Sequence, residues 1–492
     1  MDKQLEKTCL GNLIEPDIFR NLDANTYEIQ VSEPYELLKW NRLITAFDIF
    51  YLNNKDKNYK LAHQVYFERV RSSTFDTFEE PGNADKNSYE AYCDEFDNIY
   101  ESVNKHGFNK NKSLLPLARN GSIFNGSHRL ASSIVSNKKV YSLKLDKDFI
   151  VDDYKVLIQR NVPINIVEIA VCEFIKYSKN VYLAFLWPSS NKHLDSTFKR
   201  FNNILYSKEL ELSTNGALNL LTELYKHMDW SGNERNSYKG INQKLVECFP
   251  SFEKFTVLAF QANSIQDVRM IKDEVRDICK IGYSSIHITD THEEAIRISQ
   301  LLFNSNSLHF LNYAKPYSYL SIHNKIEDFK RLVCEQTEYD LDDFVVDGSS
   351  TLSLYGLRES DDLDFLYSNS DNLRVGQFHS HDECLKYHNE SKEDLIYNPA
   401  FYFSYLGLKF VSFEQTYKFK KERDEEKDKT DCALMDAYLE NNKLKLFLFR
   451  TKQILFYKKI ILERKTRESL FLVLQKVGLY NIIRSLYRRL KK

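Results

Sequence analysis

Two periodicities run along the chain. Between residues 161 and 325, unbroken apolar runs (INIVEIAVCEF, VYLAFLW, FTVLAF, SSIHIT) read as buried strands. Stretches with apolar residues three and four apart (ALNLLTELYKHM, IQDVRMIKDEVRDIC, HEEAIRISQLLF) read as amphipathic helices. Their alternation predicts an α/β region. Residues 326–440 repeat the mixed pattern, with strands predicted near 343–347, 352–356, 362–367 and 401–413. Residues 1–160 combine helical patterns with a short strand–turn–helix unit at 113–136, and residues 441–492 read as helices. The expected fold class is a multidomain α/β or α+β protein, divided at 1–160, 161–325, 326–440 and 441–492.

Composition narrows the classes. With 492 residues the chain suits about three domains. At 42% hydrophobic and 14% aromatic residues it can bury real cores. No apolar run reaches the roughly 18–20 residues of a membrane span. The start, MDKQLEKTCL, lacks a signal-peptide core. The eight cysteines are scattered with no CxxC, which predicts reduced, mostly buried thiols in a cytoplasmic protein. Collagenous, integral-membrane and disulfide-scaffold classes are excluded.

Charge is uneven. The net charge is −2, yet Lys443 to Lys492 holds 15 Lys/Arg and 2 Asp/Glu, a net of +13, which leaves −15 for the rest. Leu479, Ile482, Ile483, Leu486 and Leu490 fall at helical spacing, with Arg484, Arg488, Arg489, Lys491 and Lys492 on the other faces. Such a helix suits an anionic membrane surface, at about 1 kcal/mol per basic residue. Packing on the acidic body of the same chain suits it equally well. The balanced total charge and the lack of a basic, aromatic-lined groove argue against nucleic acid as a partner.

The sharpest chemical signal is Val345-Val346-Asp347-Gly348-Ser349-Ser350, then Tyr355-Gly356-Leu357-Arg358, then Asp361-Asp362-Leu363-Asp364-Phe365. On a strand, residues two apart share a side, so Asp362 and Asp364 present two carboxylates together. Oxygen ligands of that kind suit Mg²⁺, which takes one or two carboxylates plus substrate phosphates. The Gly348-Ser349 turn offers backbone N–H groups and a hydroxyl for a phosphate. The plain alternative is a solvated acidic turn on a half-buried strand.

This arrangement resembles the nucleotidyltransferase fold superfamily, the polymerase-beta-like group, over about 100 residues. Gly348 and Ser349 match its Gly-Ser pair, and Asp362 and Asp364 its metal-holding carboxylates. Glu414-Gln415 with Lys418, Lys420, Arg423, Lys427-Asp428 and Asp431 looks like the charged helix of minimal members. The resemblance implies Mg²⁺, a nucleoside triphosphate held by Gly348, Ser349 and Lys418, and charge neutralisation by Arg358 or Lys418. The chain departs from the pattern twice. Phe401–Tyr405 carries no third carboxylate, which leaves Glu414 as a substitute. The segment TLSLYGL after Gly-Ser is strand-like, which predicts a hairpin in place of the family's helix.

A second motif lies at Asn120-Gly121, a hairpin turn, followed by Asn125-Gly126-Ser127-His128-Arg129-Leu130-Ala131 at the start of a helix. It resembles the ParB/sulfiredoxin fold through Gly126, His128, Arg129 and Ala131, with Asn125 where an acid is usual. The resemblance implies phosphate binding at Gly126 and Arg129 and a catalytic His128. The alternative is a scaffold in which His128 caps the helix and Arg129 pairs with an acid such as Asp94 or Glu95. In the middle region, His287 to Glu294 reads as a strand-to-helix entry capped by Asp290 or Thr291, and Asn304–Ser307 as a loop.

Together these expectations describe Mg²⁺-dependent nucleotidyl or phosphoryl transfer. The acceptor suggested by the basic tail is a glycan or lipid-linked precursor of a surface polysaccharide at the inner membrane face. One alternative is a ParB-like nucleotide-dependent kinase with an inert C-terminal module. Another is a non-catalytic nucleotide sensor or scaffold.

Overall fold

The computed structural model describes residues 3–80, 83–148, 153–236, 238–336, 339–370 and 372–476. Helices hold 55% and strands 15% of the chain, and the strands form several small sheets, which makes this an α+β protein.

Each main sheet is drawn from one stretch of sequence. The first joins β1 (Lys3–Glu6), β2 (Thr26–Ser32), β3 (Leu115–Leu117) and β4 (Val140–Lys144) in the order β1-β2-β4-β3. The second joins β5 (Val181–Leu186), β6 (Ile204–Leu210), β7 (Phe255–Gln261) and β8 (Ile286–Ile288) in the order β6-β7-β5-β8. All its pairs are antiparallel. The middle region therefore alternates strands and helices, as the pattern predicted, around an antiparallel sheet. The third stretch supplies β9 (Phe344–Asp347), β10 (Asp364–Tyr367), the two-residue ribbon strands β11 (Arg374–Val375) and β12 (Phe378–His379), β13 (Tyr402–Tyr405) and β14 (Leu408–Val411). Its sheet runs β10-β9-β14-β13, with β14 parallel to β9 and the other pairs antiparallel.

Two predicted strands are helices. INIVEIAVCEF lies within a helix, Ile164–Tyr177, entered at Pro163. Its β-branched residues suggest a strand, but it is a helix buried on nearly every side, from Ile166 to Val171 and again at Glu173, Phe174 and Ile175, so its apolar run shows no helical stripe. At fourteen residues the element is also too long for an ordinary strand. The predicted strand at 352–356 is the end of a short helix, Ser349–Leu354. Asn304–Ser307 is likewise no loop. Asn304 caps the helix Ser305–Tyr313 by accepting from the N–H groups of Asn306 and Ser307. Thr291 caps the helix His292–Leu302 as expected.

One apolar cluster runs through all three stretches, from Leu37 through Phe185 to Met435. Polar contacts join them too. Lys57 Nζ pairs with Asp343 Oδ1 at 2.7 Å, and Asn58 Nδ2 donates to Asp394 Oδ1 at 2.9 Å. The half-buried Lys409 donates to the carbonyls of Asp342 and Ile396. Burial pushes its pKa down to about 8, against the pull of Asp342.

The eight cysteines are free thiols; three are buried, three half-buried, and Cys9 and Cys334 exposed. The helix Lys443–Lys476 closes the described chain. Leu446 and Phe449 pack against the core, while Leu455, Leu462, Leu470, Phe471, Leu472 and Val473 are exposed. No helix among the described residues is long and apolar enough to cross a membrane. The apolar and basic positions expected at 479–492 lie outside the described residues.

A candidate active site at the end of the third sheet

The chain leaves β9 at Asp347 and turns at Gly348 (φ +72°, ψ −132°) into the helix Ser349–Leu354. Register places Asp364, the first residue of β10, directly opposite Asp347. A Cβ at Gly348 would stand 3.3 Å from Asp364 Oδ2 and 3.8 Å from His381 Cε1. Glycine is required here for its conformation and for this close approach. Gly348→Ala is expected to cost about 1–3 kcal/mol by strain alone. Urea unfolding of the variant would read this as a lower midpoint.

Asp362 and Asp364 are close enough to repel. Burial, then the Asp362 charge, pushes the Asp364 carboxyl up to about 6. Among the described residues neither side chain has a hydrogen-bond or ion-pair partner. Asp362 is anchored instead through its backbone, whose carbonyl accepts from Ser360 Oγ at 2.6 Å. Ser349 Oγ in turn lies 2.6 Å from Ser360 Oγ. Two adjacent, unpartnered carboxylates suit a cation. No cluster of three or more His, Cys, Asp or Glu side chains among the described residues forms a complete metal cage. Two protein carboxylates, with phosphate oxygens and water completing the shell, is the usual manner of Mg²⁺.

Three residues that the motif did not single out complete the site. Asp347 is fully buried, and its Oδ2 lies 2.8 Å from His381 Nδ1 and 3.2 Å from His388 Nε2. Burial alone would raise the Asp347 pKa, but His388 and His381 hold it well below the usual carboxylate range. For His381, burial works downward, but the bond to Asp347 and its charge win and raise the pKa. His388 stacks on Phe419 with ring centroids 4.5 Å apart. The expected substitutes for a third carboxylate lie elsewhere. β13, an outer strand of this sheet, carries none, and Glu414 is exposed and pairs with Lys418.

The charged motif downstream folds as two helices, Phe413–Arg423 and Glu426–Leu439, joined by Asp424 at φ +52°. Its inward-facing residues lock to one another. Arg358 grips Asp431 bidentately at 2.8 and 2.9 Å. Lys420 pairs with Asp431 at 2.8 Å and Asp428 at 3.3 Å, and Arg423 grips Asp428. Burial opposes ionisation of Asp431, but Lys420 and Arg358 hold its carboxyl well below the ordinary range. Arg358, expected to neutralise substrate charge, is thus committed to Asp431. Lys418, expected at the triphosphate, lies on the outer face with Glu414. Its neighbour Lys420 carries the buried charge, because positions 416, 419, 420 and 423 share the inward face of that helix.

The N-terminal motif is also formed but turned inward. Gly126 (φ +95°) precedes the helix Ser127–Val135, and a Cβ there would meet Leu115 Cδ2 at 2.5 Å. His128 is buried, stacked on Phe96 with centroids 4.3 Å apart, and its Nε2 lies 3.1 Å from Tyr66 Oη. Burial, helped by Arg69, pushes its pKa well down. Arg69 pairs with the buried Asp48 at 2.8 Å, and Ser127 Oγ donates to Asp48 Oδ2 at 2.7 Å. Arg129 pairs with Glu15 at 3.0 Å, not with Asp94 or Glu95. These contacts are those of a packed scaffold.

No family model matches the chain, and neither the curated proteins nor the solved structures give a significant match.

Proposed function

We propose that this chain catalyses Mg²⁺-dependent transfer of a nucleotidyl or phosphoryl group from a nucleoside triphosphate, on a nucleotidyltransferase-like module spanning 326–440. The observation that carries the reading is the pair of unpartnered carboxylates, Asp362 and Asp364, set against the Gly348–Ser349 turn. The short helix Ser349–Leu354 after that turn agrees with the family pattern better than the hairpin expected from TLSLYGL. When bound, Mg²⁺ would neutralise phosphate charge and orient the phosphorus for in-line attack. Asp362 and Asp364 would hold it, Gly348 admits the close approach of the triphosphate, and the Ser349 hydroxyl and amide donate to phosphate oxygens.

Ligand-induced thermal stabilisation tests the reading. A nucleotide present at 100 times its Kd stabilises the folded state by about 2.7 kcal/mol. A shift in Tm with nucleoside triphosphate and Mg²⁺ together, absent with either alone, is expected. No shift with any of the four nucleotides at millimolar concentration would leave a scaffold role. The ParB-like kinase reading has less support, since His128 and Arg129 are engaged within the fold.

The acceptor, on this reading, is a glycan or lipid-linked precursor met at an anionic bilayer. Residues 443–476 carry ten Lys/Arg and two Asp/Glu. Exposed side chains at the successive positions Leu470, Phe471, Leu472 and Val473 put apolar surface on every face of the helix. A helix of that kind calls for cover, and its charge selects an anionic lipid interface. The full chain is expected to float with vesicles containing phosphatidylglycerol, to stay behind with neutral phosphatidylcholine, and to be released by high salt. Concentration-dependent dimerisation without flotation would assign the helix to a second copy and remove the membrane.

A further inference from the structure

The hydrogen bonds around Asp347 leave one ring nitrogen unassigned. Gln415 Nε2 lies 3.3 Å from His388 Nδ1. An amide nitrogen donates, so His388 Nδ1 accepts, and the ring proton is on Nε2, which donates to Asp347 Oδ2. His381 Nδ1 donates to the same oxygen. His381 Nε2 has no hydrogen-bond partner among the described residues. The ring itself stands beside the turn: its Cε1, the carbon between the two nitrogens, would lie 3.8 Å from a Cβ at Gly348, next to Asp364 Oδ2 at 3.3 Å. Asp347 therefore fixes the His381 ring through Nδ1, and its bond and charge favour the protonated ring, in which Nε2 also carries a proton.

We propose that His381 is a phosphate-contacting residue of this site, donating from Nε2 to the phosphate group that leaves. The proposal rests on the transferase reading. In the reaction the acceptor oxygen bonds to the attacked phosphorus. The bond from that phosphorus to its bridging oxygen breaks, and the electron pair departs on that oxygen as pyrophosphate or nucleoside diphosphate. The acceptor's proton passes to water. The bond to Asp347 and its charge favour the imidazolium against burial, and its Nε2–H would meet the negative charge that develops on the bridging oxygen. The charged and titratable groups around it are Asp347 on β9, Asp364 on β10, Arg423 on the helix Phe413–Arg423, and His388 and Cys384 on its own segment. Arg423 is paired with Asp428, and His388 serves Asp347, which leaves His381 as the group placed for this contact.

The test is nucleotide affinity in the presence of Mg²⁺, measured on the full chain for the mono-, di- and triphosphate of one nucleoside. Losing a charged hydrogen bond costs about 10- to 100-fold in affinity. His381→Ala is expected to lose that for the triphosphate and less than about threefold for the monophosphate. His381→Asn retains an N–H for Asp347 while deleting Nε2, so it tests the contact without disturbing the fold, and it is expected to behave like His381→Ala. His381→Lys is expected to recover part of the triphosphate affinity. Equal losses across the three nucleotides, or unchanged triphosphate affinity in His381→Asn, would overturn the proposal. A wild-type chain with no Mg²⁺-dependent triphosphate binding would instead overturn the transferase reading beneath it.

Discussion

Asp364→Asn is expected to abolish Mg²⁺-dependent nucleotide binding and, at the same time, to make the metal-free protein more stable. The first effect follows from removing one of two adjacent carboxylates with no other partner. Losing an outer-shell partner already costs about 10- to 100-fold in metal affinity; losing a ligand is expected to cost at least about 100-fold. The second follows from linkage. The folded-state pKa of Asp364, about 6, lies above that of an unfolded aspartate. The folded protein therefore binds this proton more tightly than the unfolded chain does. Stability falls as pH rises from about 4 to about 6 and stays lowered above that. Asparagine removes the charge and recovers roughly 1–3 kcal/mol at neutral pH. Thermal unfolding in a chelator, at pH 7.5 and again near pH 4, measures this. A higher Tm for the variant at pH 7.5 that vanishes near pH 4 is the expected result. A lower Tm at pH 7.5 would mean that Asp364 is structural.

Asp431→Ala is expected to give the largest loss of stability in the C-terminal half. Asp431 has no exposed surface and accepts from both Arg358 and Lys420. Removing it takes away the carboxylate that Arg358 grips and leaves Lys420 only its longer contact with Asp428 at 3.3 Å, at a cost of about 3–5 kcal/mol. Arg358→Lys is also expected to destabilise, since an ammonium cannot reproduce the two parallel bonds. The pH dependence runs opposite to that of Asp364. The folded pKa of Asp431 is depressed, so its stabilisation is complete above about pH 4 and is lost only as strong acid protonates it. Differential scanning calorimetry of both variants checks this. Loss of nucleotide binding in Arg358→Lys with an unchanged Tm would return Arg358 to a substrate-facing role.

The legible part of the site is the part whose chemistry is local in sequence. Gly348, Ser349, Asp362 and Asp364 sit within 17 positions, and a strand, a glycine turn, a short helix and a returning strand bring them together. Asp347, His381 and His388 depend on a ladder register and on the short helical segment Asp382–Tyr387 packing under the sheet. One signal was available: three of the twelve histidines fall between His379 and His388. Lys418 and Lys420 are equivalent in composition and differ only in helix face. The rows of β-branched residues in INIVEIAVCEF describe burial, which a strand and a buried helix share. The antiparallel middle sheet was hidden for a related reason: strand order follows from long-range packing, and alternation of elements does not set it.

Calorimetric titration of nucleoside triphosphate into the full chain, with and without Mg²⁺, reads the role of the two carboxylates in nucleotide binding. Wild type would be run beside Asp362→Asn/Asp364→Asn and His128→Ala. Mg²⁺-dependent binding is expected to disappear in the double aspartate variant and to persist in His128→Ala. Binding that survives the loss of both carboxylates and disappears with His128 would contradict this and move the chemistry to the N-terminal region.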